Sequence, residues 1–262
     1  MNENILQDGF LDLKINSFSI EMRKKYEKEY EVIKEYNNFI FELLNALTVK
    51  GDTQQNGYIM AALVEMHKFY QSSIILFERG LSESANSLSR TMIDLLIKIV
   101  EVIRNPDSVE ELLLNTDYET KRTLEFLYKK ELFGMVPKDE IEKMIIENRK
   151  KIKNRKDPKI RTKKLAKDND LLEIYILFRF QSDYTHLSTD IIGRVIKETS
   201  EGYYIDEDLI INNFKMEISL VLTIISITVE FILKEYLNNT EINEIHKKIV
   251  DNFEDRFKDL LL

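Results

Sequence analysis

Apolar residues recur every three to four positions along most of the chain, which is the period of an α-helix. The pattern predicts helices over about 20–50, 57–78, 82–104, 108–114, 118–132, 137–153, 171–188, 206–239 and 241–261. Seven glycines and three prolines in 262 residues leave few positions for tight turns. We therefore expect an all-α protein, a single multi-helix bundle of about eight to nine helices with a long C-terminal core helix.

Two segments depart from the helical period. Residues 146–168 are rich in lysine and arginine and are expected to form a basic loop or insertion. Residues 190–206 contain two glycines and a Tyr-Tyr pair and form the least helical segment, where a short extended piece is allowed. Because no repeat or linker divides the chain, residues 1–262 are interpreted as one helical domain.

Composition excludes several classes of protein. The chain has no cysteine, so disulfides and thiolate chemistry are excluded. The first ten residues show no charged segment followed by an apolar run, so we predict no signal peptide and a cytoplasmic protein. The most apolar run, Ile218 to Val229, has twelve uncharged residues, which is the length of a buried core helix rather than of a membrane span.

The basic segment concentrates charge in an otherwise acidic chain. Between Arg149 and Lys167 there are eleven basic residues and one acidic residue, a net charge of +10, so the remainder of a chain of net charge −8 carries −18. Such a segment can attract a polyanion such as RNA, or it can be a solvated helix end and loop. The candidate nucleic-acid contacts are Lys150, Lys151, Lys153, Arg155, Lys156, Arg161, Lys163 and Lys164.

The predicted helix over 171–188 is apolar on nearly every side in its first half. Arg179, Asp183 and His186 then follow at i, i+4 and i+7, which stacks them on one helix face. They form either a satisfied internal network or a functional site. In the second case the histidine could transfer a proton to or from RNA, the arginine could hold a phosphate, and the aspartate could orient the imidazole.

A second polar strip lies on the predicted helix over 82–104, which is otherwise apolar around most of its circumference. The strip consists of Arg90, Asp94, Lys98 and Glu101. Buried charges require partners, so two polar strips on buried helices are best satisfied facing each other. We therefore predict one shared cluster of Arg90, Asp94, Arg179, Asp183 and His186.

Other common sites have no motif in this chain. No glycine-rich phosphate loop, no H-E-x-x-H and no serine-hydrolase elbow occurs. Asp183 and His186 have the spacing of one half of a di-metal helix pair, but there is no second half. We therefore predict no metal and no cofactor.

Two resemblances rest on these residues. The helix pair with Arg90-Thr-Met-Ile-Asp94 and Ser182-Asp-Tyr184-Thr-His186 resembles a bacterial family of helical proteins of unknown function, which has R-x3-E and S-x-Y-x-H helices, over roughly 61–194. More distantly, Arg179 to His186 matches the R-x6-H form of the HEPN superfamily pattern. Aspartate stands at position 94 in place of glutamate, and Phe180 follows the arginine where the HEPN pattern usually has a polar residue.

The HEPN resemblance implies an all-helical homodimer and a metal-independent endoribonuclease in a toxin or phage-defence context, with an antitoxin or defence protein as partner. Arg179, His186 and Asp183 would then be catalytic, and Arg90, Asp94, Ser182 and Tyr184 would support them. The alternative is a non-catalytic helical module that binds a protein or nucleotide, with the same cluster as a structural network.

Overall fold

A computed structural model describes residues 15–131, 136–185, 196–199, 202–205 and 214–258, and the side chains within 16–131, 136–179 and 214–258. The described residues form ten α-helices: α1 (Ile15–Lys25), α2 (Glu27–Lys50), α3 (Gln54–Phe77), α4 (Ser82–Arg104), α5 (Ser108–Lys129), α6 (Lys138–Lys151), α7 (Thr162–Asp168), α8 (Leu172–Thr185), α9 (Phe214–Phe231) and α10 (Thr240–Phe257). The predicted all-α class is therefore confirmed, with slightly more helices than expected.

Three helix boundaries differ from the prediction. The long first helix is interrupted at Tyr26, whose ring stacks on Phe214 at 4.6 Å between centroids. The expected break at 115–117 is absent, and α5 runs through it because Leu114 is buried and holds the helix against its neighbours. The long C-terminal core helix ends as a π-helical segment, Ile232–Leu237, closed by Asn238 in the left-handed conformation.

The central element of the bundle is α4. It packs against α3, α8, α9 and α7, and eleven of its residues are buried. Met92 and Leu96 are fully buried, so truncating either to alanine is expected to cost about 2–5 kcal/mol. The polar side chains on its buried faces, such as Asn86 and Ser89, therefore lie within a tight core.

The α5–α6 helix pair projects from this core. The start of α5 joins the main core through Val109 and Leu112, whereas Leu124 in its second half packs with Ile141 and Ile145 of α6 in a small separate cluster. The basic segment begins at the end of α6 and returns the chain to α4 by way of α7. This path brings its positive charges next to the central helix.

A two-stranded antiparallel hairpin follows α8. Strand β1 (Ile196–Thr199) pairs with β2 (Gly202–Ile205), with Ile196 opposite Ile205 and Thr199 opposite Gly202. The expectation of a short extended piece within 190–206 is thus confirmed.

The segment Phe214–Leu237 is the one candidate membrane span among the described residues, judged by length and composition alone. More than half of its most apolar window, 56%, is buried inside the bundle. The core helix of a soluble protein has this same character, so the segment is weak support for membrane insertion.

Candidate functional site

The two helices predicted to share a polar cluster pack against each other. Contacts between them run in opposite directions, since Arg90 of α4 meets Phe178 of α8 while Arg104 meets Asn169, just before α8. The helices are therefore antiparallel, and the last turn of α8 extends towards the N-terminal end of α4. That last turn contains Ser182 and Asp183.

Arg90 lies at the middle of this helix pair. Its guanidinium carbon sits over the Phe178 ring at 4.8 Å from the centroid, a cation–π contact. Its Nε is buried and has no hydrogen-bond partner among the described residues. Among the described side chains of α8, Arg90 is thus held by an aromatic face.

Asp94, one turn further along α4, has two partners. Lys98 Nζ donates to Oδ2 at 2.5 Å, and the hydroxyl of Thr162 donates to Oδ1 at 2.7 Å. Thr162 is the first residue of α7, so this hydrogen bond attaches α7 to the central helix. Asp94 therefore pairs with its own helix and with α7.

The C-terminal part of the polar strip holds the turn between α7 and α8. The side chain of Asn169, which is buried, donates to Glu101 Oε2 at 2.6 Å. The backbone oxygen of Asn169 accepts a hydrogen bond from Arg104 at 2.7 Å, and the same guanidinium makes a two-point ion pair with Glu235. These contacts fix where α8 begins.

Arg179 behaves differently from Arg90. It is exposed, and no hydrogen bond or ion pair joins it to Arg90, Asp94 or any other residue whose side chain is described. Of the predicted five-residue cluster, the structure therefore brings Arg90 and Asp94 to the α4–α8 and α4–α7 contacts and leaves Arg179 on the surface.

The remaining candidates fall at the edge of what the structure describes. Ser182, Asp183 and Tyr184 lie on the last turn of α8, but their side chains are outside the described set. His186 and Phe180 likewise lie outside the described side chains, and His186 follows directly after the end of α8. The predicted pairing of Asp183 with His186 therefore stays a prediction.

One buried carboxylate near the N-terminal end of α4 was not among the predicted site residues. Glu217, in the first turn of α9, is buried, with Ser82 donating to its Oε2 at 2.8 Å and Asn86 also hydrogen-bonding its carboxylate. Burial raises its pKa to about 7, and the nearby Glu83 acts in the same direction. In the sequence Glu217 merely flanks the apolar run, and no motif marks it as buried.

The basic segment presents a surface beside α8. Nine of its basic side chains are exposed and have no ion-pair partner among the described residues, and we call them the basic face: Lys150, Lys151, Lys153, Lys156, Lys159, Arg161, Lys163, Lys164 and Lys167. The other two differ. Arg149 pairs with Glu125 and Arg155 pairs with Glu110, both on α5. Seven of the eight predicted nucleic-acid contacts thus belong to the basic face, and Arg155 is engaged within the protein.

The two histidines described structurally are packing residues. His67 is bonded to the Asn37 side-chain oxygen at 2.9 Å, and His246 stacks on Phe39 at 5.6 Å. Burial lowers the pKa of both, that of His246 to about 4. No three histidine, aspartate or glutamate side chains converge as a metal site within the part of the chain that the structure describes.

A groove of about 760 Å³ lies away from this site, between α2 and α3. Tyr30, Ile33, Tyr70 and Ile74 are among its lining residues, and each of them is less than 10% exposed. Charged side chains of both signs surround it, so it offers no net charge for a polyanion. We therefore base the candidate site on α4, α7 and α8 rather than on this groove.

Comparison with known proteins gives one match. A family described as "Family of unknown function (DUF5677)" matches residues 56–203, more than half of the chain. The matched region extends from α3 to the hairpin and includes α4, the basic face and α8. No curated protein and no solved structure gave a significant match.

Proposed function

Because the chain belongs to this family of unknown function, we propose its activity from its own side chains: an RNA-binding, metal-independent endoribonuclease. One observation carries the proposal. Arg179 presents an exposed guanidinium without an ion-pair partner among the described residues, on the helix that follows the basic face. An arginine in this state keeps its planar set of donors available for a phosphate.

The chemistry follows from the residues that resemble the HEPN pattern. His186 would take the proton of a ribose 2′-hydroxyl, whose oxygen attacks the adjacent phosphorus. The bond to the 5′-oxygen breaks, the protonated His186 returns its proton to that oxygen, and the products are a 2′,3′-cyclic phosphate and a 5′-hydroxyl. Arg179 would stabilise the charge that develops on the phosphate oxygens, and Asp183 would orient the imidazole.

The other predicted residues would act by support. Arg90 and Asp94 hold α8 and α7 against α4 through Phe178 and Thr162. Ser182 and Tyr184 lie on the same last turn of α8 as Asp183. The setting we propose is a cytoplasmic homodimer in a toxin or phage-defence system, with an antitoxin or defence protein as partner.

The test is RNA cleavage by the full chain in the presence of EDTA, comparing the wild type with Arg179→Ala and His186→Ala. Each variant is expected to lose at least about 100-fold in cleavage rate, the usual size of one acid–base or charge-stabilising group. Because Arg179 is exposed, Arg179→Ala is expected to change the free energy of unfolding by less than about 0.5 kcal/mol.

Arg256→Ala on α10 is the control and should cleave at the wild-type rate. Wild-type protein that cleaves no RNA, or an Arg179→Ala variant that cleaves as fast as wild type, would exclude the ribonuclease.

A specific observation favours a second candidate, the non-catalytic helical module that binds a protein or nucleotide. Asp94, Glu101 and Arg104 are all engaged in hydrogen bonds that fix α7 and the start of α8. These hydrogen bonds explain the polar strip as a structural network, without a catalytic role. This candidate predicts that the wild-type protein is folded and cleaves no RNA. It also predicts that Asp94→Ala and Arg90→Ala lower the free energy of unfolding.

A further inference from the structure

The nine cations of the basic face differ from the other two basic residues of the same segment in having no ion-pair partner among the described side chains. The acidic residues of α5 neutralise Arg149 and Arg155, while Asp157 pairs with Arg122 of the same helix. The nine cations of the basic face are left exposed without such pairs among the described side chains. Their charge is therefore available to an external polyanion.

The backbone that carries these cations is attached to the bundle at several points. Tyr118 donates its hydroxyl to the backbone oxygen of Arg155, and the Ile160 amide donates to the Asn115 side chain at 3.3 Å. Thr162 is bonded to Asp94, as described above. The cations therefore project from a positioned backbone, which gives the surface a defined spacing.

The basic segment itself carries no aromatic side chain that could stack on bases. Residues 149–167 contain no phenylalanine, tyrosine, tryptophan or histidine. Two tyrosine rings on neighbouring helices are in contact with other groups, since Lys121 lies over the ring of Tyr118 on α5 and Tyr175 of α8 stacks on Phe178 at 5.6 Å. Proteins that hold single-stranded RNA combine positive charge with aromatic stacking on unpaired bases.

From these three features we infer that the basic face binds a double-helical segment of RNA through its phosphates. A duplex presents a regular lattice of phosphates with high charge density and needs no base contacts. This inference rests on the proposed ribonuclease function and names its substrate class, a structured RNA whose stem lies on α7 and the preceding loop.

The position of the cleaved nucleotide follows from the chain path. Cleavage by a 2′-oxygen requires the attacking oxygen, the phosphorus and the leaving oxygen to lie in line. Regular A-form stacking opposes this arrangement, whereas an unpaired nucleotide can adopt it. Arg179 is exposed on α8, the helix after α7. The scissile phosphate is therefore an unpaired one next to the bound stem.

The test measures binding separately from cleavage. The full-length His186→Ala variant is used, because the proposed function expects it not to cleave RNA. It is titrated into a labelled hairpin RNA and, separately, into a labelled unstructured RNA of equal length, and binding is followed by fluorescence anisotropy. The hairpin is expected to bind roughly tenfold more tightly or better. Affinity is expected to fall steeply between about 50 and 200 mM salt, as phosphate contacts require.

The three lysines of α7 supply the decisive variant. Lys163→Gln/Lys164→Gln/Lys167→Gln is expected to weaken hairpin binding and to reduce the slope of log affinity against log salt by about 2 to 3, near 0.9 for each lost phosphate contact. The matched control is Lys28→Gln/Lys247→Gln/Lys248→Gln, which removes three exposed lysines from α2 and α10. The control should bind as tightly as the parent.

Three results would overturn the inference: the unstructured RNA binding as tightly as the hairpin, the two triple variants losing affinity equally, or duplex DNA binding more tightly than duplex RNA of the same sequence. Failure of the proposed function would look different. Hairpin binding without any wild-type cleavage would leave the basic face as a duplex-binding surface and remove only the catalytic assignment.

Discussion

The two ends of the polar strip on α4 have the same helical spacing in the sequence but differ in how many hydrogen-bond partners their side chains have in the structure. Towards the C-terminal end, Asp94 and Glu101, together with the neighbouring Arg104, each find partners on α7, on the turn after it or on the π-helical segment. At the N-terminal end, Arg90 keeps a buried nitrogen without a partner among the described residues, and Glu217 of α9 packs against the start of α4 with a raised pKa although Ser82 donates to it. The difference teaches that spacing on one helix predicts which residues share a face but not which of them are satisfied.

The first and largest test of this comparison uses Glu217→Gln. The folded-state pKa of about 7 lies above the ordinary value of 4.5, so the folded protein holds a proton that the unfolded chain has released. The contribution of Glu217 to stability should therefore fall as pH rises from about 4.5 to about 7, by on the order of 3 kcal/mol, whereas buried His246, with its pKa lowered to about 4, contributes a change of opposite sign. Because the histidine contribution is common to both proteins, urea unfolding from pH 4 to 8 should show the free energy of unfolding of the wild type falling by this amount relative to that of Glu217→Gln.

Exposed Glu241→Gln on α10 is the control and should keep the wild-type pH profile. If wild type and Glu217→Gln lose stability in parallel, the N-terminal end of the strip is as well satisfied as the C-terminal end.

A second prediction tests the satisfied end. Asn169→Ala removes a hydrogen bond to the Glu101 carboxylate and one to the Leu165 backbone oxygen. Because Asn169 is buried and one of its partners is charged, the loss should be about 2 kcal/mol of unfolding free energy. Amide hydrogen exchange should also become faster in α7.

Asn105→Ala offers a matched control, since Asn105 donates to the other oxygen of the same carboxylate at 3.1 Å but is exposed. It should cost less than about 0.5 kcal/mol. Equal losses in the two variants would mean that the turn after α7 is not held by its buried hydrogen bonds.

The smallest expected effect concerns Arg90→Met. The variant loses a cation–π contact with Phe178 but also removes a buried nitrogen that has no partner, so the two changes oppose each other. Its free energy of unfolding should stay within about 1 kcal/mol of wild type.

Arg104→Met, which breaks the two-point pair with Glu235, should lose more stability than Arg90→Met. A larger loss at Arg90 than at Arg104 would place Arg90 in an internal ion network, as the five-residue cluster predicts.

Much of the fold could be predicted from sequence because helical periodicity is a local signal. The bounds of α4, Ser82 to Arg104, agree with the prediction, since Gly80 precedes the helix and Asn105-Pro106 ends it. The break expected at 115–117 was wrong because the buried Leu114 holds this polar part of α5 against its neighbours in helical form. Tertiary packing there overrides local propensity.

The candidate site was less predictable because it depends on contacts between distant segments. That α4 and α8 adjoin follows from their apolar faces, but the contact of Arg90 with the Phe178 ring depends on their relative rotation. Asp94 pairs with Lys98 as its spacing predicts, but its second partner is Thr162, a residue in the basic segment that no charge-pairing argument selects. Glu217 is buried against Ser82 and Asn86 of α4, contacts between distant segments that no local pattern records.

The hydrogen bond between Thr162 and Asp94 has a thermodynamic consequence for the whole molecule. A ligand that binds only the folded form of α7 also stabilises the core, since the helix it occupies is attached to the central helix. RNA at 100 times its dissociation constant would add about 2.7 kcal/mol to the free energy of unfolding. A duplex-binding surface built in this way would make the melting temperature a direct readout of RNA occupancy.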